Sequence, residues 1–187
     1  MEIELRILDW IQTWHTPVLD GLMCAITTLG NAGAIWILLG LLLFLNTKTR
    51  KTGAVVMAAL VLDVLFCNVL LKPYIARVRP CDVNTAVSLL IARPKDFSFP
   101  SGHTAASFAA VAALWFAGEK KLVKPAFVLA CLIAFSRLYL YVHYPTDILG
   151  GIVVGMVAGY LGYRIVQKGI AYYTEKQDRS GWHIERG

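Results

Sequence analysis

Three short stretches hold nearly all the residues of this chain that could do chemistry. The first is KPYIARVRP, in which Lys72 is followed after six residues by Arg79 and Pro80. The second is FPSGHTAAS, Phe99 to Ser107, and the third is SRLYLYVHYPTD, which carries Ser136, Arg137, His143 and Asp147. Lys72, Arg79 and Arg137 supply positive charge and forked donors, which suit an anion with several oxygens. PSGH suits a helix N-terminus: Ser101 is a cap-type residue, Gly102 allows close backbone approach, and the first N–H groups point outward. Phosphate is the natural occupant of such a place. A lone SGH would read as an ordinary helix cap, and the three cations at the same membrane surface change that reading. Pro145 fits the first turn of a helix that also holds Asp147. There the carboxylate accepts from the imidazole N–H of His143, fixes its tautomer and leaves the other nitrogen free as a nucleophile. His103, across the pocket, is placed to protonate a departing oxygen. These residues leave open which histidine attacks, and only the neighbouring Asp147 favours His143. His15 and His183 have no comparable company.

The elements that position these groups are membrane helices. Of the 187 residues, 57% are hydrophobic and the mean hydropathy is +0.60, well above a soluble domain. A single integral-membrane domain over residues 1–187 is expected, with no room for a sizeable soluble one. The net charge is +6 from 18 Lys and Arg. They gather between apolar runs instead of forming a face or a tail, which argues against nucleic acid as a partner. Cys24, Cys67, Cys81 and Cys131 lack metal-type spacing and read as small hydrophobes, not a disulfide set, so they point to no metal or cofactor. The opening MEIELRILDW has acids and no basic n-region, unlike a cleaved signal peptide.

Five apolar runs are clear, at about Ala32–Leu45, Gly53–Leu71, Ala105–Ala117, Val123–Leu140 and Ile148–Val166, and Val18–Leu29 reads as a sixth. The fold class is therefore all-α, a polytopic helical bundle of about six spans over residues 17–170. An amphipathic interfacial helix precedes it within residues 1–16, where Ile3, Ile7, Trp10, Ile11 and Trp14 recur at helical spacing. A tail, 171–187, follows it. LGNAG, Leu29 to Gly33, reads as the turn between the first two spans. Gly151, Gly155 and Gly159 recur every four residues, a close-packing helix face.

Six spans would place both termini on one side. That side receives eleven Lys and Arg: Lys48, Arg50, Lys51, Lys120, Lys121, Lys124, Arg164, Lys168, Lys176, Arg179 and Arg186. The positive-inside rule makes it the cytoplasm. Lys72, Arg77, Arg79, Arg93, Lys95 and Arg137 fall on the opposite face, and a phosphate site there gives six cations on the unfavoured side a reason to exist.

Lys, six residues, Arg-Pro, then Pro-Ser-Gly-His, then Ser-Arg, five residues, His, three residues, Asp resembles the three-part signature of the type 2 phosphatidic acid phosphatase superfamily. All three parts match in order and spacing from Lys72 to Asp147, and the helical layout extends the resemblance over nearly the whole chain. The resemblance implies metal-independent hydrolysis of a phosphomonoester or diphosphate through a phosphohistidine. It makes His143 the nucleophile, Asp147 its orienting partner, and His103 the general acid and later the base. Lys72, Arg79, Arg137, Ser101 and the backbone at Gly102 would hold the phosphoryl oxygens. The implied partner is a lipid phosphate within the bilayer at the outer face of the cell membrane. Undecaprenyl diphosphate leads, with phosphatidylglycerophosphate and phosphatidic acid sharing the chemistry. Transfer to another lipid shares every residue, and a non-hydrolytic carrier would need polar groups on both faces. Asp63, deep in the third span, is expected to bond Thr27 or Thr28 across helices, and Asn68 to orient Lys72. Tyr139, Tyr141 and Tyr144 suit the membrane interface. Asn84 to Pro94 suits a short interfacial segment over the entrance, with Cys81 accessible from outside.

Overall fold

The computed structural model describes residues 2–180, so His183 lies outside the described residues. Among those, every regular element is helical: α1 (Glu2–Gln12), α2 (Pro17–Leu29), α3 (Ala34–Leu45), α4 (Arg50–Asp63), α5 (Lys72–Ile75), α6 (Pro80–Val83), α7 (Gly102–Ala117), α8 (Lys120–Tyr139) and α9 (Pro145–Ser180). The expected all-α membrane bundle is borne out. Arg50–Val83, Lys120–Tyr139 and Pro145–Gln177 are each long and apolar enough to cross a bilayer. The 16-residue α7 is shorter and sits in the middle, packed against α4, α8 and α9.

The first two apolar runs correct the expected hairpin. Between α2 and α3 the chain bends by 46° and does not reverse. The break is a 3-10 turn, Asn31–Gly33, where Ala32 (φ 50°) and Gly33 (φ 69°) are left-handed. That conformation ends a helix without closing a hairpin. The two arms together make one bent pass, α2 against α8 and α3 against α4. With one pass fewer, α1 and the last described turns of α9 stand at opposite ends of the bundle. α1 lies at the end that carries the three motifs: Glu4 meets Arg77 and Thr146, Asp9 accepts from the Tyr141 hydroxyl, and Gln12 donates to the Tyr139 carbonyl. α9 starts at that end and runs 36 residues away from it, about 54 Å of helix.

α7 and α9 are joined backbone to backbone. A Cβ added at Gly155 would fall 2.3 Å from the Ala105 carbonyl oxygen, and one at Gly151 2.7 Å from that of Ser101. The glycine face thus meets the small-residue face of α7, as their spacing anticipates. The seam fixes the mouth of α7 against the first turn of α9, where the Ser101 N–H donates to the Asp147 carbonyl at 3.0 Å.

α4 continues beyond Asp63 as a π-helix, Val64–Leu71, before its last α turn. The Lys72 N–H reaches back five residues, to the Cys67 carbonyl.

Candidate active site

The structure brings all eight predicted site residues to one end of the bundle. His143 sits in the tight loop between α8 and α9, buried on all sides. Its Nδ1 is 3.4 Å from Asp147 Oδ2 and its Nε2 is 3.1 Å from an Arg79 guanidinium nitrogen. Arginine is only a donor, so Nε2 must accept and the ring proton belongs on Nδ1, towards Asp147. Burial holds the imidazole far below its ordinary pKa, at about 3, against the opposing pull of Asp147. The ring is therefore neutral at physiological pH, the form a nucleophile needs.

Asp147 is held more firmly than two histidine-motif residues alone could manage. Its Oδ2 also accepts from the Ser98 hydroxyl (2.5 Å) and the Tyr144 N–H (2.8 Å), and its Oδ1 takes a 2.6 Å ion pair from Arg77. Arg77 pairs in turn with Glu4 at 2.7 Å and lies 4.0 Å over the Tyr144 ring. An arginine two residues before Arg79 thus belongs to the carboxylate, and α1 closes the network from outside.

Lys72 and Arg79 share one anion in this state, the Asp96 carboxylate. Lys72 Nζ pairs with Oδ2, and Arg79 with Oδ1 at 2.7 Å. These contacts hold the Asp96 carboxyl below its usual range, at about 2, although burial pushes the other way. Arg137 is buried, donates to the Thr27 hydroxyl at 2.5 Å and has no partner for its Nε–H among the described residues. Ser101 caps α7, its hydroxyl oxygen facing the Thr104 N–H at 3.5 Å and accepting from the Thr104 hydroxyl at 2.9 Å. The Ser101 backbone N–H is taken by the Asp147 carbonyl, where the glycine seam draws α9 close. The backbone donors of the first turn are those of Gly102 and His103. His103 Nε2 faces Asn31 Oδ1 at 3.0 Å, so the break between α2 and α3 orients this ring.

A cavity of about 370 Å³ opens beside this cluster, bounded by Lys72, Asp96, Gly102 and His103 and continuing past Asn68 to Asp63. Asp63 does not bond Thr27 or Thr28. Thr27 accepts from Arg137 and Thr28 donates to the Cys24 carbonyl, because the bend carries α2 to α8 and away from α4. Nor do the tyrosines form an interfacial belt. Tyr139, Tyr141 and Tyr144 are buried, the first two donating to Asp20 and Asp9, since α1 folds over them. Cys81 is buried as well. Residues 84–99 have no helix, and the segment packs Val87, Leu89 and Ile91 against the core.

Asp96, Ser98, Arg77 and Asn31 had not been singled out from the sequence. The signal for Ser98 and Asp96 was nearness to PSGH, and for Arg77 an unexplained cation in the first motif; Asn31 had none.

A helical membrane bundle with this cluster at one end defines a lipid phosphatase class. The chain matches the PAP2 superfamily over residues 52–171 and belongs to that family. It is 36% identical to the undecaprenyl-diphosphatase BcrC of Bacillus subtilis (strain 168) over 154 residues, covering 80% of this chain and 76% of the relative. It superposes on the crystal structure of Aquifex aeolicus LpxE with a TM-score of 0.74 at 27% identity, covering 87% of this chain and 95% of that one. A PAP2-type phosphatidylglycerolphosphate phosphatase from Bacillus subtilis gives 0.73 at 28% identity, with coverage of 89% and 86%. This protein is a membrane-embedded lipid phosphatase.

Proposed function

We propose that the protein hydrolyses undecaprenyl diphosphate to undecaprenyl phosphate at the outer membrane face through a phosphohistidine. The observation that carries the mechanism is the chain from Arg79 through His143 to Asp147, which leaves the Nε2 lone pair directed away from the carboxylate. Nε2 attacks the terminal phosphorus and the bridging P–O bond breaks. The arriving phosphate anion brings a proton onto the His103 ring, and the departing oxygen takes it. His103 then removes a proton from water, which attacks the phosphohistidine and releases inorganic phosphate with His143 restored. Lys72, Arg79, Arg137, the Ser101 hydroxyl and the Gly102 N–H hold the phosphoryl oxygens, whose charge grows in the transition state.

Similarity to the Bacillus undecaprenyl-diphosphatase supports the substrate. The charge count supports the outer face: moving α1 to the site end adds only Arg6 there, and the ten of the eleven cations that lie among the described residues remain opposite. Phosphatidylglycerophosphate is the second reading, favoured by likeness to the Bacillus structure. The test is phosphate release in detergent from undecaprenyl diphosphate, phosphatidylglycerophosphate and phosphatidic acid, with EDTA present. Fastest release from the diphosphate is expected, and none from His143→Ala. Loss of activity in EDTA, or an active His143→Ala, overturns the mechanism. For sidedness, the exposed Lys95 replaces the buried Cys81 as reporter. A Lys95→Cys chain without other cysteines should react with an impermeant thiol reagent in intact cells, and labelling only after lysis inverts the topology.

A further inference from the structure

Asp63 is a buried carboxyl that the phosphate site above does not use. It is 2% exposed, and its Oδ1 has no hydrogen-bond partner among the described residues. Its register explains how it reaches the cavity. In an α-helix, turning 100° per residue, Lys72 lies nine residues on and about 180° away from Asp63, and Asn68 about 140° away. A π-helix, bonded from i to i+5, turns about 82° per residue, and the two offsets shrink to about 20° and 50°. The π-helical stretch Val64–Leu71 fills this interval. Asp63, Asn68 and Lys72 therefore stand on one face and line one cavity together with His103. Around Gly102, a Cβ would lie 3.5 Å from Asn68 Oδ1 and 3.7 Å from Lys72 Nζ, so Asn68 adjoins the phosphate end directly.

We propose that Asp63 and Asn68 form a second polar subsite, for the phosphate that stays on the lipid when a prenyl diphosphate is cleaved. This rests on the diphosphatase reading and extends it. His103 gives its proton to the departing oxygen, so the leaving phosphate lies on the His103 side, and the cavity is on that side. A carboxyl meets a phosphate oxygen only as an O–H donor, so the second phosphate binds together with one proton on Asp63, while Asn68 offers its amide N–H groups. Neutral donors suit a group that must leave, because a further cation there would hold product as tightly as substrate. Beyond Asp63 the walls are apolar, and Ile37 and Val64 reach the lipid-facing surface, which gives the prenyl chain its exit.

The experiment compares a short-chain prenyl diphosphate with the prenyl monophosphate of the same length, using full-length protein in detergent. Wild type, Asp63→Leu, Asp63→Asn and Asn68→Leu are assayed. Asp63→Leu should lower kcat/KM for the diphosphate about tenfold or more, the loss of a hydrogen bond to a charged group, and leave the monophosphate within about twofold. Asp63→Asn keeps a donor and should stay within about threefold on both; Asn68→Leu should follow Asp63→Leu in direction. Equal losses on both substrates, or no loss, overturn the subsite while the diphosphatase reading stands. A selective loss on phosphatidylglycerophosphate overturns it too, assigning Asp63 to a glycerol hydroxyl. Wild type inactive on the diphosphate overturns both. Thermal midpoints in detergent keep a misfolded variant from passing as a selective one.

Discussion

Substituting Asp96 by Asn should make this enzyme bind its substrate more tightly. Asp96 bridges Lys72 and Arg79, the two cations that the phosphoryl group is proposed to use. Carboxylate and phosphate therefore compete, and substrate must break both pairs before it gains its own. The two cations hold the carboxyl below the ordinary carboxylate range, at about 2, a favourable interaction of about 2 kcal/mol. The side chain is 53% exposed, so solvent screening reduces this to about 1 kcal/mol. That corresponds to a fall in KM of about fivefold, with kcat nearly unchanged because the carboxylate is gone from the site before the bond breaks. Steady-state phosphate release at pH 7 across a range of substrate measures both constants. An unchanged or higher KM would refute the reasoning and make Asp96 an aligner of Arg79. The pH dependence gives a second check. A depressed carboxyl contributes stability above its unfolded value, and that contribution disappears as pH falls from 3.8 towards about 2. Asp96→Asn should accordingly melt below wild type at pH 7, and the gap should close in this acid window.

Arg77→Ala leaves Asp147 Oδ1 without its ion pair, so it should cost about 3 kcal/mol by thermal denaturation and lower kcat at least tenfold, since Asp147 orients the nucleophile. Gly155→Ala drives a Cβ to 2.3 Å from the Ala105 carbonyl and should lower the melting temperature by several degrees, about 2–3 kcal/mol of overpacking; Gly169→Ala, with nothing within 4 Å, should change nothing. Asn31→Leu releases His103 Nε2 and should lower kcat about tenfold at constant KM, read from the same kinetics.

Most of the site is legible in the sequence, because its residues sit at or beside helix ends where spacing alone brings them together. Lys72, Ser101, Arg137 and Asp147 fall at four such ends, with His143 in the short loop between the last two, and antiparallel packing does the rest. The glycine seam was legible for the same reason, a fixed period of four. What was not legible depends on irregular backbone. Asp96 and Ser98 act where a segment without periodicity folds back, and Asn31 acts where a left-handed turn bends a pass instead of reversing it. The π-helix is hidden for a different reason: a run that is apolar all round shows no change when its register slips, so Asp63 looked remote from Lys72 when it shares its face. Arg77 and Arg79 were equivalent as charges, and only the fold assigns one to the carboxylate and the other to the imidazole.

The placement of α1 also has a consequence for how the chain is made. Glu4 meets Thr146 across 142 residues, Asp9 meets Tyr141 across 132, and Gln12 meets the Tyr139 carbonyl across 127. Contacts of such separation form late, after the intervening chain has been gathered in. The α1 residues must wait for nearly all of the intervening chain before they reach their partners. Catalytic order around Asp147 is then a mark of completed assembly: a chain halted before α9 has spans and cations but no finished phosphatase.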